Sequence, residues 1–168
     1  MNIGTMIQGN VEQTDNSTIE KYCYNNLESN CETYGGLYQW NEAMQYVTNE
    51  GAKGICPDGW HIPSISNNSS EYQILANFVN NDGNSLKAIG QGTGEGTGTN
   101  ISGFSALMSG VRNSYINDFE NLSEVTFLWS SNGGNENSAS LLLESAWDNV
   151  LYSAPLSRFG VSVRCIKD

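Results

Sequence analysis

The chain has 168 residues, of which only 15% are charged, and its net charge is −11. Because no cluster of basic residues offsets this acidity, nucleic acid and anionic membranes are poor partners. Low charge together with 18 glycines and many Asn and Ser residues is typical of one loop-rich extracellular or surface domain. No apolar run reaches the ~20 residues of a membrane-spanning helix, so we expect no membrane insertion.

The first residues, "NIGTMIQG" after Met1, already have the character of a strand and contain no signal peptide. We therefore expect one domain over residues 1–168, with an N-terminus truncated from a longer protein. A signal or anchor outside this sequence would place that protein in a secreted or cell-surface location.

The four cysteines are Cys23, Cys31, Cys56 and Cys165. Their spacings match no common zinc site, so two disulfides are expected, with four buried thiols as the alternative. Three connectivities are possible. We favour Cys23–Cys31, which closes a short polar loop, and Cys56–Cys165, which joins the middle of the chain to its end. The second bond would stabilise the fold by about 4–5 kcal/mol on the chain-entropy model.

Two stretches have the apolar spacing of amphipathic helices. The first helix is expected to end at Gly51, and its apolar face comprises Trp40, Ala43, Met44 and Val47. The second is expected over about 70–80, with Ser69 or Ser70 as its cap. Its apolar face comprises Tyr72, Leu75, Ala76 and Val79. Trp40 and Trp60 are predicted to be core residues.

The second half of the chain predicts strands. Segment 90–98 has glycine at every second position but no phosphate-binding motif, so we expect a mobile loop there. Five short strands should follow within 104–112, 126–131, 138–144, 149–154 and 159–166. In the last of these, Phe159, Val161, Val163 and Cys165 alternate with Gly, Ser and Arg, which predicts a half-buried strand. Helices followed by strands indicate the α+β class.

No catalytic set emerges from the sequence. His61, beside Trp60, has no evident nucleophile to activate, and a structural role is expected for it. There is no G-x-S-x-G elbow either. We predict that the protein is not an enzyme and uses no cofactor.

Five blocks occur in one order along the chain: "YCYNNLESNCETYGGLYQWNEAMQYV", "GICPDGWHIPS", "GTNISGFSAL", "FLWSS" and "GVSVRCIKD". Together they resemble the Fibrobacter succinogenes major paralogous domain over essentially the whole chain. The resemblance implies a C-type-lectin-like fold, with two helices packed on small twisted antiparallel sheets and long loops on one side. It also implies the disulfide pairing favoured above and a secreted or surface-attached bacterial protein.

Residues 139–159 depart most from the pattern of that family. Some domains of this type are variable targets of diversity-generating retroelements, which rewrite adenines in a C-terminal stretch of the gene. Adenine replacement in AAC codons cannot produce Glu144 or Trp147, so those two would have to be fixed.

We interpret residues 138–159 as a variable surface that recognises a protein or glycan. Leu142, Trp147, Leu151, Tyr152 and Leu156 would face solvent, as apolar recognition residues do. The candidate contact residues are Ser140, Leu142, Ser145, Trp147, Asp148, Leu151, Tyr152, Ala154, Leu156 and Arg158.

Three other interpretations remain. "Trp147-Asp148-Asn149", with Glu144 upstream, looks like the calcium motif of sugar-binding C-type lectins with two residues exchanged. Because the partner Glu-Pro-Asn motif is absent, a turn is the better interpretation and we predict no metal site. The domain could also be a structural or adhesive repeat without a specific pocket. An enzyme related to the formylglycine-generating fold would need reactive cysteines.

Overall fold

The computed structural model describes all residues, 1–168. It contains three α-helices: α1 (Glu28–Tyr34), α2 (Trp40–Ala43) and α3 (Glu71–Phe78). Nine short strands accompany them: β1 (Thr5–Ile7), β2 (Glu20–Tyr22), β3 (Trp60–His61), β4 (Val111–Asn113), β5 (Asp118–Glu120), β6 (Val125–Gly133), β7 (Ser138–Glu144), β8 (Leu151–Ser153) and β9 (Ile166–Lys167). These elements confirm the α+β class.

The strands form several small sheets. Strands β6, β7 and β8 make an antiparallel sheet with β7 in the middle. The pairs β3–β9 and β4–β5 are antiparallel as well, whereas β1–β2 is parallel. No helix is long and apolar enough to cross a membrane.

The helix predictions were confirmed in one case and wrong in extent in the other. Helix α3 begins after Ser70 and buries Tyr72 and Ala76, as its spacing predicted. Helix α2 ends after one turn because Gln45 and Tyr46 adopt left-handed backbone angles, with φ of 52° and 60°. Val47 therefore leaves the predicted apolar face and is 46% exposed.

Helix α1 was not predicted. Its seven residues are mostly polar, and Cys31 is the one that it buries. Because the helix has no apolar face, its sequence shows no helical periodicity. So short a helix is stabilised by the neighbouring disulfide and by packing, not by the helix propensity of its residues.

The core has two main parts. One surrounds Trp40 and Trp129, whose indole N–H groups donate to the carbonyl oxygens of Ser130 and Tyr38 at 2.8 and 2.7 Å. The other packs α3 against one face of the β6–β7–β8 sheet. Trp60 belongs to neither, and the prediction that it is a core residue was wrong. It is 38% exposed because the two-residue strand β3 lies at the surface beside β9.

Both favoured disulfides are present. Cys23 pairs with Cys31 and Cys56 with Cys165, with Cα atoms 5.0 and 5.9 Å apart. No free cysteine remains. Disulfides are typical of proteins that fold in an oxidising compartment.

The prediction of a half-buried strand over the end of the chain was wrong in detail. Residues 160–163 are buried on both faces, because Val161 and Val163 pack in the core around Trp40 and Trp129 and the hydroxyl of Ser162 is hydrogen-bonded to that of Ser109. Isolated bridges to Tyr38 and Leu128 also pair both edges of the segment. Gly160 in turn bridges to Arg112. The segment therefore lies in the interior of the molecule, and only β9 is a regular strand.

Candidate functional site

The loop between β7 and β8, residues 145–150, carries the most exposed aromatic side chain of the predicted contact surface. Trp147 is 61% exposed, as the sequence predicted, and the neighbouring Ala146, Asp148 and Asn149 are exposed as well. We call residues 145–150 the tryptophan loop. The side chains of residues 146–149 face solvent, whereas Val150 is buried in the core, so the shape of the exposed part depends on what holds its backbone.

A buried lysine holds that backbone. Lys87 is fully buried, and its ammonium group donates to the carbonyl oxygens of Glu144 at 2.8 Å, Trp147 at 2.6 Å and Gly96 at 2.7 Å. Burial lowers the pKa of Lys87, while the nearby carboxylates of Asp82, Asp148 and Glu144 act in the opposite direction. One internal cation thus ties the tryptophan loop to segment 90–98.

Segment 90–98, the glycine loop, packs directly against the tryptophan loop. The amide of Thr93 donates to the carbonyl oxygen of Ser145 at 2.8 Å. A Cβ atom on Gly96 would lie 2.1 Å from that same oxygen, so only glycine permits this approach. The sequence predicted a mobile loop here, but in the structure this loop is hydrogen-bonded to the candidate site.

The segment that follows α3, residues 79–83, is hydrogen-bonded to the tryptophan loop. The amide of Gly83 donates to the carbonyl oxygen of Asp148, and the amide of Val150 donates to that of Asn81 at 3.1 Å. All of these bonds use backbone atoms of the tryptophan loop. No group of three or more His, Cys, Asp or Glu side chains converges as a metal site.

The predicted contact residues on the sheet do not share one face. Leu142 pairs with Leu151 across β7–β8, and both lie half-buried on the face that carries Phe127. Tyr152 projects from the opposite face, where its hydroxyl donates to the carbonyl oxygen of Tyr72 on α3 at 3.3 Å. Ser140 is fully buried, because its strand position lies beside Trp129, and it is not available to a ligand.

The remaining predicted residues lie beyond the other end of β8. Ala154 and Arg158 are exposed and Leu156 is half-buried. The Arg158 guanidinium lies 5.6 Å from the ring centroid of Tyr115, which is itself 69% exposed on the β4–β5 hairpin. Sequence reasoning missed Tyr115, because nothing in the sequence indicates that this hairpin meets residue 158.

The tryptophan loop and the Arg158–Tyr115 pair are therefore separate. They lie at opposite ends of β7, a seven-residue strand. At ~3.3 Å per residue, this strand spans about 20 Å. The predicted contact set thus forms two small exposed clusters with a half-buried apolar stripe between them.

The fold and this surface define a disulfide-bonded α+β domain that displays an anchored loop. A family model described as the Fibrobacter succinogenes major domain matches residues 2–167. The chain belongs to that family, as its sequence blocks suggested. Comparison with curated proteins and with solved structures finds no significant match.

Proposed function

We propose that the domain is a ligand-binding module of a secreted or cell-surface bacterial protein, and that the tryptophan loop is its principal contact. The observation that carries the proposal is the exposed Trp147 on a backbone fixed by the buried Lys87 ammonium. Tryptophan is enriched among the residues that dominate binding energy. Because the loop is already ordered, binding would cost little conformational entropy.

The arrangement of the two exposed clusters favours a protein ligand over a glycan. A small sugar could contact either the tryptophan loop or the Arg158–Tyr115 pair, but the length of β7, about 20 Å, lies between them. A protein surface of ordinary interface size, about 800 Å² per partner, would cover both. We therefore propose a protein partner that contacts both ends of β7.

Sequence variation in the tryptophan loop would be compatible with this architecture. One hydrogen bond from Lys87 and those from Thr93 and Gly83 end on its carbonyl oxygens, not on its side chains. Side chains at 145–149 could therefore change without removing these bonds. A retroelement would then diversify the positions around a fixed Trp147, which can be checked by finding an adenine-only variant of the gene's 3′ end beside a reverse transcriptase.

A display library of bacterial surface proteins, screened with this domain, provides the test of binding. For each binder, Trp147→Ala should weaken affinity at least tenfold, while the melting temperature stays within about 2 °C of wild type. Phe78→Ala is the matched control, because Phe78 is an aromatic residue that is 74% exposed on α3. Equal affinities for wild type and Trp147→Ala would contradict the proposal.

A structural or adhesive repeat is the second candidate. Such a domain would bind no partner specifically, so Trp147→Ala and Phe78→Ala would change the affinity for library binders equally.

We also propose that the domain is not an enzyme. Pairing of Cys56 with Cys165 supports this, because an enzyme of the formylglycine-generating type needs reactive thiols. Alkylation followed by mass spectrometry should detect no free thiol, and labelling of either cysteine would favour the enzyme.

A further inference from the structure

A cavity of about 240 Å³ lies beside the Cys56–Cys165 disulfide, between α3 and the β3–β9 pair, and shares no residue with the tryptophan loop. Its walls are mainly apolar: Trp60, Pro63, Tyr72, Leu75, Phe104 and Ile166. A closed apolar cavity of about 150 Å³ is known to admit benzene in another protein. The cavity is therefore large enough for one aromatic ring with a short polar group.

One cation on the wall of this cavity lacks an acidic partner. The Arg164 guanidinium stacks on the Phe104 ring at 4.9 Å, and one of its nitrogens donates to the carbonyl oxygen of Ser105 at 2.7 Å. Its other N–H groups make no hydrogen bond within the protein, and no carboxylate lies within ion-pair distance. Guanidinium groups of this kind bind carboxylates through two parallel hydrogen bonds.

Two of the seven basic residues line this cavity, in a chain that has 18 acidic residues. Lys21, Lys53 and Arg112 each form an ion pair with a carboxylate. Lys167, which also lines the cavity, forms none. An acidic protein thus leaves two unpaired cations at one apolar cavity.

The acidic residue at the rim, Glu71, does not neutralise them. One of its carboxylate oxygens accepts hydrogen bonds from the amide and the hydroxyl of Ser64, and the other lies 3.7 Å from His61. Glu71 keeps its negative charge at the rim but forms no ion pair with Arg164 or Lys167, so the open donors of Arg164 remain available.

We propose that this cavity binds a small aromatic carboxylate. The ring would lie between Trp60 and Phe104, and the carboxylate would accept hydrogen bonds from the free donors of Arg164, with Lys167 adding positive charge at the mouth. The argument is charge complementarity in an apolar enclosure, and it does not depend on the function proposed for the tryptophan loop.

The test uses N-acetyl-L-phenylalanine and its uncharged amide as probes, titrated into isotopically labelled protein and followed by NMR. The acid should bind at least tenfold more tightly than the amide, and the shifted signals should include the indole N–H of Trp60. Arg164→Gln should abolish the preference for the acid, and Lys53→Gln, which removes an exposed cation outside the cavity, should preserve it.

Several outcomes would overturn the inference. Equal affinity for the acid and the amide would show that the charge of Arg164 does not contribute to binding. NMR signal shifts confined to residues outside the cavity would show that the probe binds elsewhere. A peptide ending in phenylalanine that binds far more tightly than the free acid would make the occupant a chain end instead. If Arg164→Gln does not fold, the ratio of the affinities for acid and amide is measured in wild type and in Lys167→Gln. A smaller ratio in Lys167→Gln supports the proposal, and an unchanged ratio contradicts it.

Discussion

Replacing Lys87 by methionine should damage the candidate site more than any exposed substitution in the tryptophan loop. Methionine fills a similar volume but supplies none of the three donors that reach the carbonyl oxygens of Glu144, Trp147 and Gly96. Those oxygens would remain in a buried region without a partner. The variant therefore separates the packing of residue 87 from its role as an internal cation.

The size of the effect follows from two opposing contributions. A hydrogen bond to a charged group contributes about 1.5–3 kcal/mol, but methionine also removes the desolvation cost of a buried charge. Each carbonyl oxygen left without a partner costs about 1–3 kcal/mol, so three lost bonds, less the relieved desolvation cost, give a net loss of about 3–5 kcal/mol. For a domain of this size, each kcal/mol lowers the melting temperature by about 2–4 °C, so we expect a fall of roughly 6–20 °C.

Thermal unfolding followed by near-ultraviolet circular dichroism measures this fall. Lys53→Met is the control, because Lys53 is exposed and pairs with Asp58 at the surface, where such pairs contribute under about 1 kcal/mol. Lys87→Arg should not restore stability, since a planar guanidinium fork does not match three converging carbonyl oxygens. A Lys87→Met variant that melts within about 2 °C of wild type would refute the view that this cation organises the loops.

Three further predictions concern the same regions. In urea unfolding, Gly96→Ala should destabilise the fold by about 1–3 kcal/mol, because its Cβ would lie 2.1 Å from the Ser145 carbonyl oxygen. Gly134→Ala is the control and should be nearly neutral, because Gly134 has open space around it. Burial alone would raise the pKa of Glu71, but its hydrogen bonds lower it below 4.5. Wild type should therefore exceed Glu71→Gln in stability at pH 7, and the difference should shrink as the pH falls below 4.5; a constant difference would contradict this. Trp147→Phe should remove the larger part of the iodide-quenchable fluorescence, with the partly exposed Trp60 supplying the rest, and unchanged quenching would show that Trp147 is shielded.

The sequence predicted the features that depend on local periodicity or on residue type. Helix α3 was recognisable because Tyr72 and Ala76 both face the core at helical spacing. The exposure of Trp147 followed from its Asp and Asn neighbours. Cysteine spacing favoured the disulfide pairing that the structure contains.

Features that depend on contacts distant in sequence were missed. Trp60 looked like a core residue because tryptophan is usually buried, but β3 pairs only with the end of the chain. Residues 160–163 alternate like a half-buried strand, yet the core packs on the face of Val161 and Val163, and Ser162 on the other face is buried against Ser109. Alternation indicates which residues share a face, and it does not reveal how many faces are covered.

Lys87 shows the same limit at the candidate site. Its sequence surroundings, "NSLKAIG", give no sign that it is buried, and lysine is almost never fully buried without partners. Its partners are carbonyl oxygens from segments 9, 57 and 60 residues away, which no residue type identifies. A buried cation bonded to backbone leaves no motif in the sequence.

The irregular sequence of residues 138–159 therefore has a physical explanation that differs between its two parts. In β7, Leu141 and Leu143 are fully buried against α3, so the structure constrains those side chains. At positions 145–149 of the tryptophan loop the constraints lie in residues outside it, namely the ammonium of Lys87 and the missing side chain of Gly96, which both act on backbone oxygens. Random replacement within 145–149 should thus leave most variants folded, whereas replacement of Leu141 or Leu143 by polar residues should not. If positions 145–149 and positions 141 and 143 tolerated substitution equally, the backbone hydrogen bonds would not be what determines the conformation of the tryptophan loop.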